Sequence, residues 1–175
     1  MKRTATDADM QAIWTRLAPY VVELFNKEGE SPQAMLGIRL GPEVGEVKDA
    51  HSVPKDVLAM LFYRPGLSDR RRKFLRSLVA PDKSEFAYLA VDVAVMVSEA
   101  WYVERDTNGL TPEEEARVID EGVSAQADKQ EAICILLHTL DGEACGFCPI
   151  DPVTRKASVG RFMTQILSSA GQPIH

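Results

Sequence analysis

The chain has 175 residues, 45% of them hydrophobic and 26% charged, with a formal net charge of −6. That composition excludes a disordered polymer and fits a single domain, 1–175, able to bury about two-thirds of its unfolded surface. Three cysteines cannot complete a disulfide framework, and an acidic sum argues against wrapping nucleic acid.

The opening segment MKRTATDADMQ has a basic start without an apolar stretch of signal-peptide type. From Asp7 to about Lys27, Met10, Ile13, Trp14, Leu17, Val21, Leu24 and Phe25 recur at three-and-four spacing, which predicts an amphipathic helix. Thr6 is its N-cap, Asp7 and Asp9 suit its first turn, and Gly29 closes it. Pro19 removes a backbone donor and should kink or split the helix near Thr15. Next, Ala34–Leu40 and Val44–Lys48, set around Gly41-Pro42 and Gly45, predict a short strand pair with an irregular turn.

Ser52-Val53-Pro54 opens a second helix to about Tyr63, and Ser68 caps a third from about Asp69 to Val79 that Pro81 stops. Between Arg64 and Arg76, six basic residues stand against Asp69 alone, a local charge of +5, so the rest of the chain carries −11. Arg72, Lys73 and Arg76, with Arg70 nearby, form a basic stripe opposite the apolar Leu67, Phe74, Leu75 and Leu78. They are the candidate residues for an anionic partner.

A long strand falls within Ala87–Glu104. Both of its faces are nearly apolar, as in a strand covered on two sides. Its longest apolar run, Leu89–Val97, is broken by Asp92 and too short to cross a bilayer. Asp92 and Glu99 lie on opposite faces, which forbids a convergent carboxylate pair; Arg71 is a candidate ion-pair partner for Asp92. An acidic insertion, about 105–129, is expected to be mobile apart from a short helix that a capping box at Thr111-Pro112-Glu113-Glu114 opens and that runs to about Glu121. A turn at Asp151–Lys156, a last strand around Ala157–Met163 and a loose tail, 164–175, complete the chain.

The stretch EAICILLHTLDGEACGFCPI, 131–150, predicts a β-hairpin turning at Asp141-Gly142 in a type I′ turn. That turn would pair Leu140 with Glu143, His138 with Cys145, Leu136 with Phe147 and Cys134 with Pro149. Cys134, His138, Cys145 and Cys148 resemble a zinc set in linear order only. Cys145 and Cys148, three apart, face opposite sides, and Cys134 sits roughly 13 Å along the strand from His138. No metal is expected. A His138–Cys145 cross-strand pair could instead form a thiolate dyad, which needs a residue to orient the base and a stabiliser for the oxyanion. No phosphate-loop, dinucleotide or zinc-protease motif occurs, so no cofactor is expected.

Three phrases carry a resemblance: Ser31-Pro32-Gln33-Ala34-Met35-Leu36, Val97-Ser98-Glu99-Ala100-Trp101 and Lys129-Gln130-Glu131-Ala132. Together they resemble a loose group of uncharacterised bacterial and bacteriophage proteins, in which an arginine takes the place of Lys129. The resemblance implies a bacterial or phage setting and carries over no activity; cysteines within apolar strand sequence point to cytoplasmic residence, with the virion as an alternative. The expectation is an α+β fold: a mainly antiparallel sheet of central strand, hairpin and last strand, packed by N-terminal helices. Its expected role is non-enzymatic, through a protein partner or a homo-oligomer, with the amphipathic, Trp14-bearing helix as one contact surface and no membrane. A Cys145/His138 enzyme and an anion- or nucleic-acid-binding accessory protein are the alternatives.

Overall fold

A computed structural model describes residues 3–30, 33–53, 74, 77–79, 91–103, 111, 113–114 and 127–163. Helix α1 spans Asp7–Glu28 and runs unbroken through Pro19, so the expected split does not occur. The burial of one whole face outweighs the single donor lost. Thr6 caps it: Asp9 N–H donates to Thr6 Oγ1 at 3.3 Å, and the Asp9 carboxylate returns to Thr6 N–H at 2.9 Å. Gly29, at φ 78°, takes the left-handed conformation and donates to Phe25 O at 2.7 Å, a C-cap that suits glycine.

Among the described residues six antiparallel strands follow: β1 (Ala34–Leu40), β2 (Val47–Ser52), β3 (Val93–Tyr102), β4 (Gln130–His138), β5 (Glu143–Pro149) and β6 (Phe162–Met163). They form one sheet in the order β2-β1-β3-β4-β5-β6. The nearly two-sided apolar pattern of β3 therefore reflects a central position. β2 lies later than the expected 44–48: Gly41–Glu46 forms the turn, and a bulge interrupts the β1–β2 ladder at Arg39/Leu40. The last strand is shorter than expected, with only an isolated bridge from Ile150 to Ala157 preceding β6.

Each sheet face carries its own core. On one, α1 contributes Met10, Ile13, Trp14, Ala18, Val21 and Phe25 against Ile38, Val93, Val95, Val97, Ile133, Ile135, Leu137, Ala144 and Cys148. Trp14 lies flat over Gly146, where an added Cβ would fall 2.3 Å from the indole, and stacks on Phe162 at 5.3 Å. The helix face expected to serve a partner is thus spent on the chain's own sheet. On the second face, Met35, Ala94, Leu136 and Cys145 are buried with Val53, Phe74, Leu78, Val79 and Val91. Phe74 and residues 77–79 are helical; the remainder of the two expected helices, including Arg70, Arg71, Arg72, Lys73 and Arg76, lies outside the described residues.

Asp9 has no exposed surface and a fully engaged carboxylate. Its carboxylate accepts both Arg3 Nη1 and Nη2, at 2.6 and 2.8 Å, and Gly45 N–H at 2.7 Å. Arg3 also donates to the carbonyls of Gly41 and Glu43. One buried carboxylate thus ties the start of α1 to the β1–β2 turn. At the same end of the sheet, Asp92 is half-buried just before β3 and accepts Leu40 N–H at 2.8 Å. The Thr111/Glu114 capping box forms as expected, with reciprocal bonds of 2.9 and 3.3 Å. The rest of the acidic insertion, apart from its last residues, and the tail after Met163 lie outside the described residues.

Candidate functional site

The hairpin forms, but in another register. His138 pairs with Glu143, Leu136 with Cys145, Cys134 with Phe147 and Ala132 with Pro149, two residues from the expected partners. A type I′ turn needs positive φ at both central residues. Among the described residues positive φ occurs only at Gly29, Gly45 and Arg155, so Asp141-Gly142 does not form that turn. Thr139 takes over: its N–H donates to Gly142 O at 2.7 Å, and its hydroxyl accepts Gly142 N–H at 3.1 Å. The loop is centred on Leu140-Asp141 instead.

A slip of two preserves face parity. Cys148 accordingly sits under α1, whereas Cys134, His138 and Cys145 lie on the second face, as the alternation predicts. Among the described residues no group of three or more His, Cys, Asp or Glu side chains could hold a metal ion.

The slip replaces the partner of His138. Cys145 moves to a diagonal position, about 7–8 Å away by ladder geometry, and Glu143 stands directly opposite. His138 Nδ1 lies 2.8 Å from Glu143 Oε1, with the two residues only 6% and 2% exposed. With the carboxylate ionised, Nδ1–H donates to it and the tautomer leaves Nε2 as the basic nitrogen. The orienting residue that sequence reasoning did not find is therefore Glu143. It was hidden because the expected register put Leu140 opposite it.

The sulfur chemistry runs the other way. Burial, followed by the negative charge of Glu143, pushes the Cys145 thiol up from its ordinary value. Burial, with the neighbouring cysteines, holds Cys134 up to about 12, and burial also raises Cys148. All three cysteines are reduced. A dyad needs thiolate, and here the residue that positions the imidazole opposes the thiolate.

A second constellation sits at the opposite end of β4. Trp101, at the end of β3 and 49% exposed, pairs with Glu131 on the α1 side of the sheet. Lys129 Nζ lies 5.1 Å from the centre of its ring. Arg155 grips Glu131 with two guanidinium nitrogens, holding that carboxyl below its ordinary range. Arg155 is held in turn by the Asp151–Lys156 turn. There Asp151 Oδ1 accepts Val153 N–H and Thr154 N–H at 2.9 and 2.6 Å, and Arg155 takes a left-handed φ of 56°. Val153 projects from this turn 89% exposed. Asn26 of α1 secures the following segment, its amide bonding both the N–H and the C=O of Ala157. The end of the sheet thus presents an aromatic ring, an arginine and an aliphatic tip on a braced frame.

Asp92 and Glu99 remain apart, the first half-buried at the sheet margin and the second exposed on the ladder opposite Ile133. No helix among the described residues is long and apolar enough to cross a membrane. Comparisons of the chain with protein-family models, curated proteins and solved structures match it to none of them.

Proposed function

We propose that this chain is a non-enzymatic interaction protein of a bacterium or its phage that engages a protein partner through the Trp101–Arg155 end of its sheet. The observation that carries the reading is a half-exposed tryptophan set opposite Glu131, the carboxylate that an arginine locked by its own turn holds. Tryptophan and arginine dominate binding energy at protein interfaces, and a preformed frame lowers the ordering cost of binding. The bacterial or phage setting rests on the resemblance of the Val97–Trp101 and Lys129–Ala132 phrases.

The test is capture from lysate of the native host with tagged full-length chain. A partner retained by the wild type and lost by Trp101→Ala with Arg155→Glu, at unchanged circular dichroism, supports the reading. Turnover of esters, phosphoesters or nucleotides by the purified chain, abolished by His138→Ala or Cys145→Ala, overturns it.

One observation favours a second reading. Glu143 orients His138 on the face that also carries Cys145, so a general base is assembled even though the thiol is held protonated. A His138-dependent enzyme would show activity lost in both His138→Ala and Glu143→Gln. Without activity in the wild type that reading falls. The anion-binding alternative rests on Arg70, Arg72, Lys73 and Arg76, outside the described residues. It predicts binding to nucleic acid that weakens steeply with salt and disappears on charge reversal at Arg72 and Arg76.

A further inference from the structure

Strand β2 ends the sheet, and among the described residues no strand pairs with its outer side. The phase of its hydrogen bonding follows from one contact: Val53 N–H donates to Met35 O at 2.9 Å. In an antiparallel ladder the residues that bond inward alternate with those that bond outward. His51 opposite Gly37 and Asp49 opposite Arg39 therefore bond inward to β1, leaving Ala50 and Ser52 to turn their N–H and C=O groups outward. From Ala50 to Ser52 the strand is exposed. On the second sheet face, Asp49 Oδ1 lies 3.1 Å from His51 Nε2 and 3.7 Å from Arg39 Nε. Neither approach has hydrogen-bond geometry, so Asp49 Oδ1 and Arg39 Nε are shut off from solvent without a hydrogen-bond partner.

We propose that two copies of this chain associate by pairing the outer edges of β2 antiparallel across a twofold axis, making one continuous sheet. The sequence of the strand, Val47-Lys48-Asp49-Ala50-His51-Ser52, is suited to meet itself. Centred on Ala50, each Asp49 faces the other copy's His51, the two Ala50 residues bond to one another, and Lys48 exchanges its outward bonds with Ser52. Unlike groups then interleave where cross-strand pairs stabilise. The neighbouring alternatives are worse. A centre at Asp49 sets two aspartates face to face, and a centre at His51 sets two imidazoles face to face. Charged edges ordinarily repel strand addition. This edge carries one acid and one histidine two residues apart, an order that becomes self-complementary when the strand is reversed.

The proposal deepens the interaction reading by naming one partner, but uses β2 rather than the Trp101 end. The experiment is sedimentation of the full chain over a wide concentration range, for wild type, Ala50→Pro, His51→Asp and the Trp101→Ala/Arg155→Glu double variant. Wild type should pass from one copy to two as concentration rises. Proline at position 50 removes only an outward donor, so Ala50→Pro should keep its circular dichroism and stay a single copy. His51→Asp, which sets acid against acid, should need at least about ten-fold more protein to reach the same dimer fraction. The double variant should dimerise as wild type does. A wild type that stays single at every concentration, or an Ala50→Pro chain that dimerises as tightly, overturns the proposal. Should Ala50→Pro misfold, unchanged dimerisation of His51→Asp overturns it equally. Loss of the dimer in the double variant alone would move self-association to the Trp101 end, overturning the β2 pairing while leaving the interaction reading intact.

Discussion

At the scale of single residues, Asp9 is a fully buried carboxylate whose partners are Arg3, Thr6 and Gly45. Replacing it with alanine strands those donors and uncaps α1. We expect Asp9→Ala to lower stability by about 3 kcal/mol and Arg3→Ala, which removes the more exposed partner, to lower it by less, both readable by urea denaturation. The hydrogen bond from Arg3 holds the Asp9 carboxyl far below its ordinary range. A group depressed on folding stabilises fully above its unfolded pKa, about 3.9, and loses that contribution as pH falls toward the folded value. The wild type should therefore lose stability below about pH 5, with Asp9→Asn showing a flatter acid limb. For the cysteines, raised thiols predict slow labelling by a thiol reagent near neutral pH, fast labelling after unfolding, and no acceleration in Glu143→Gln large enough to expose a reactive thiolate. Rapid labelling of native Cys145 that His138→Ala abolishes would reinstate the dyad.

At the scale of elements, the seat of Trp14 on Gly146 makes the helix–sheet contact specific. Gly146→Ala drives a methyl into the indole, and we expect it to cost about 2 kcal/mol, with a smaller loss in a Trp14→Leu background where the ring is gone. Additive losses in the double variant would deny that contact. This element was legible from the chain because the spacing of Met10, Ile13, Trp14, Val21 and Phe25 is set by backbone geometry. What periodicity could not say is which partner the face meets, since a stripe built for a sheet and one built for a second protein look alike. The hairpin teaches a related limit. Asp141-Gly142 is a strong local signal, yet the Thr139 hydroxyl satisfies Gly142 N–H and recentres the loop. Because the slip is even, every face assignment survives while every cross-strand partner changes; the Cys148 assignment held and the His138–Cys145 pair did not. β2 was misplaced for another reason: a strand exposed along most of its length has no apolar alternation to mark it.

At the scale of the whole molecule, the sheet separates two kinds of surface. The hairpin tip and second face bury His138, Glu143 and Cys145, where the imidazole is tied and the thiol suppressed. The opposite end displays Trp101, Val153 and Arg155 on strands and a turn braced by Asp151 and Asn26. Chemistry is thus withdrawn and contact area is offered, which is the basis for reading the chain as an interaction protein. The class of fold was legible because hairpin-linked strands after an amphipathic helix leave few alternatives. The contact end was not: nothing in the local sequence singles out Trp101 within its long apolar strand or Arg155 within the Asp151–Lys156 turn, and only the strand register brings Glu131 between them. The most direct test of the central claim is photo-crosslinking in the native host, with a photoreactive aromatic residue placed at position 101 and, as a control, at the exposed Tyr20 of α1. The account predicts one discrete cross-linked protein from position 101, absent from position 20 and lost when Arg155→Glu is added. No adduct at position 101, or the same adducts from both positions, would contradict it.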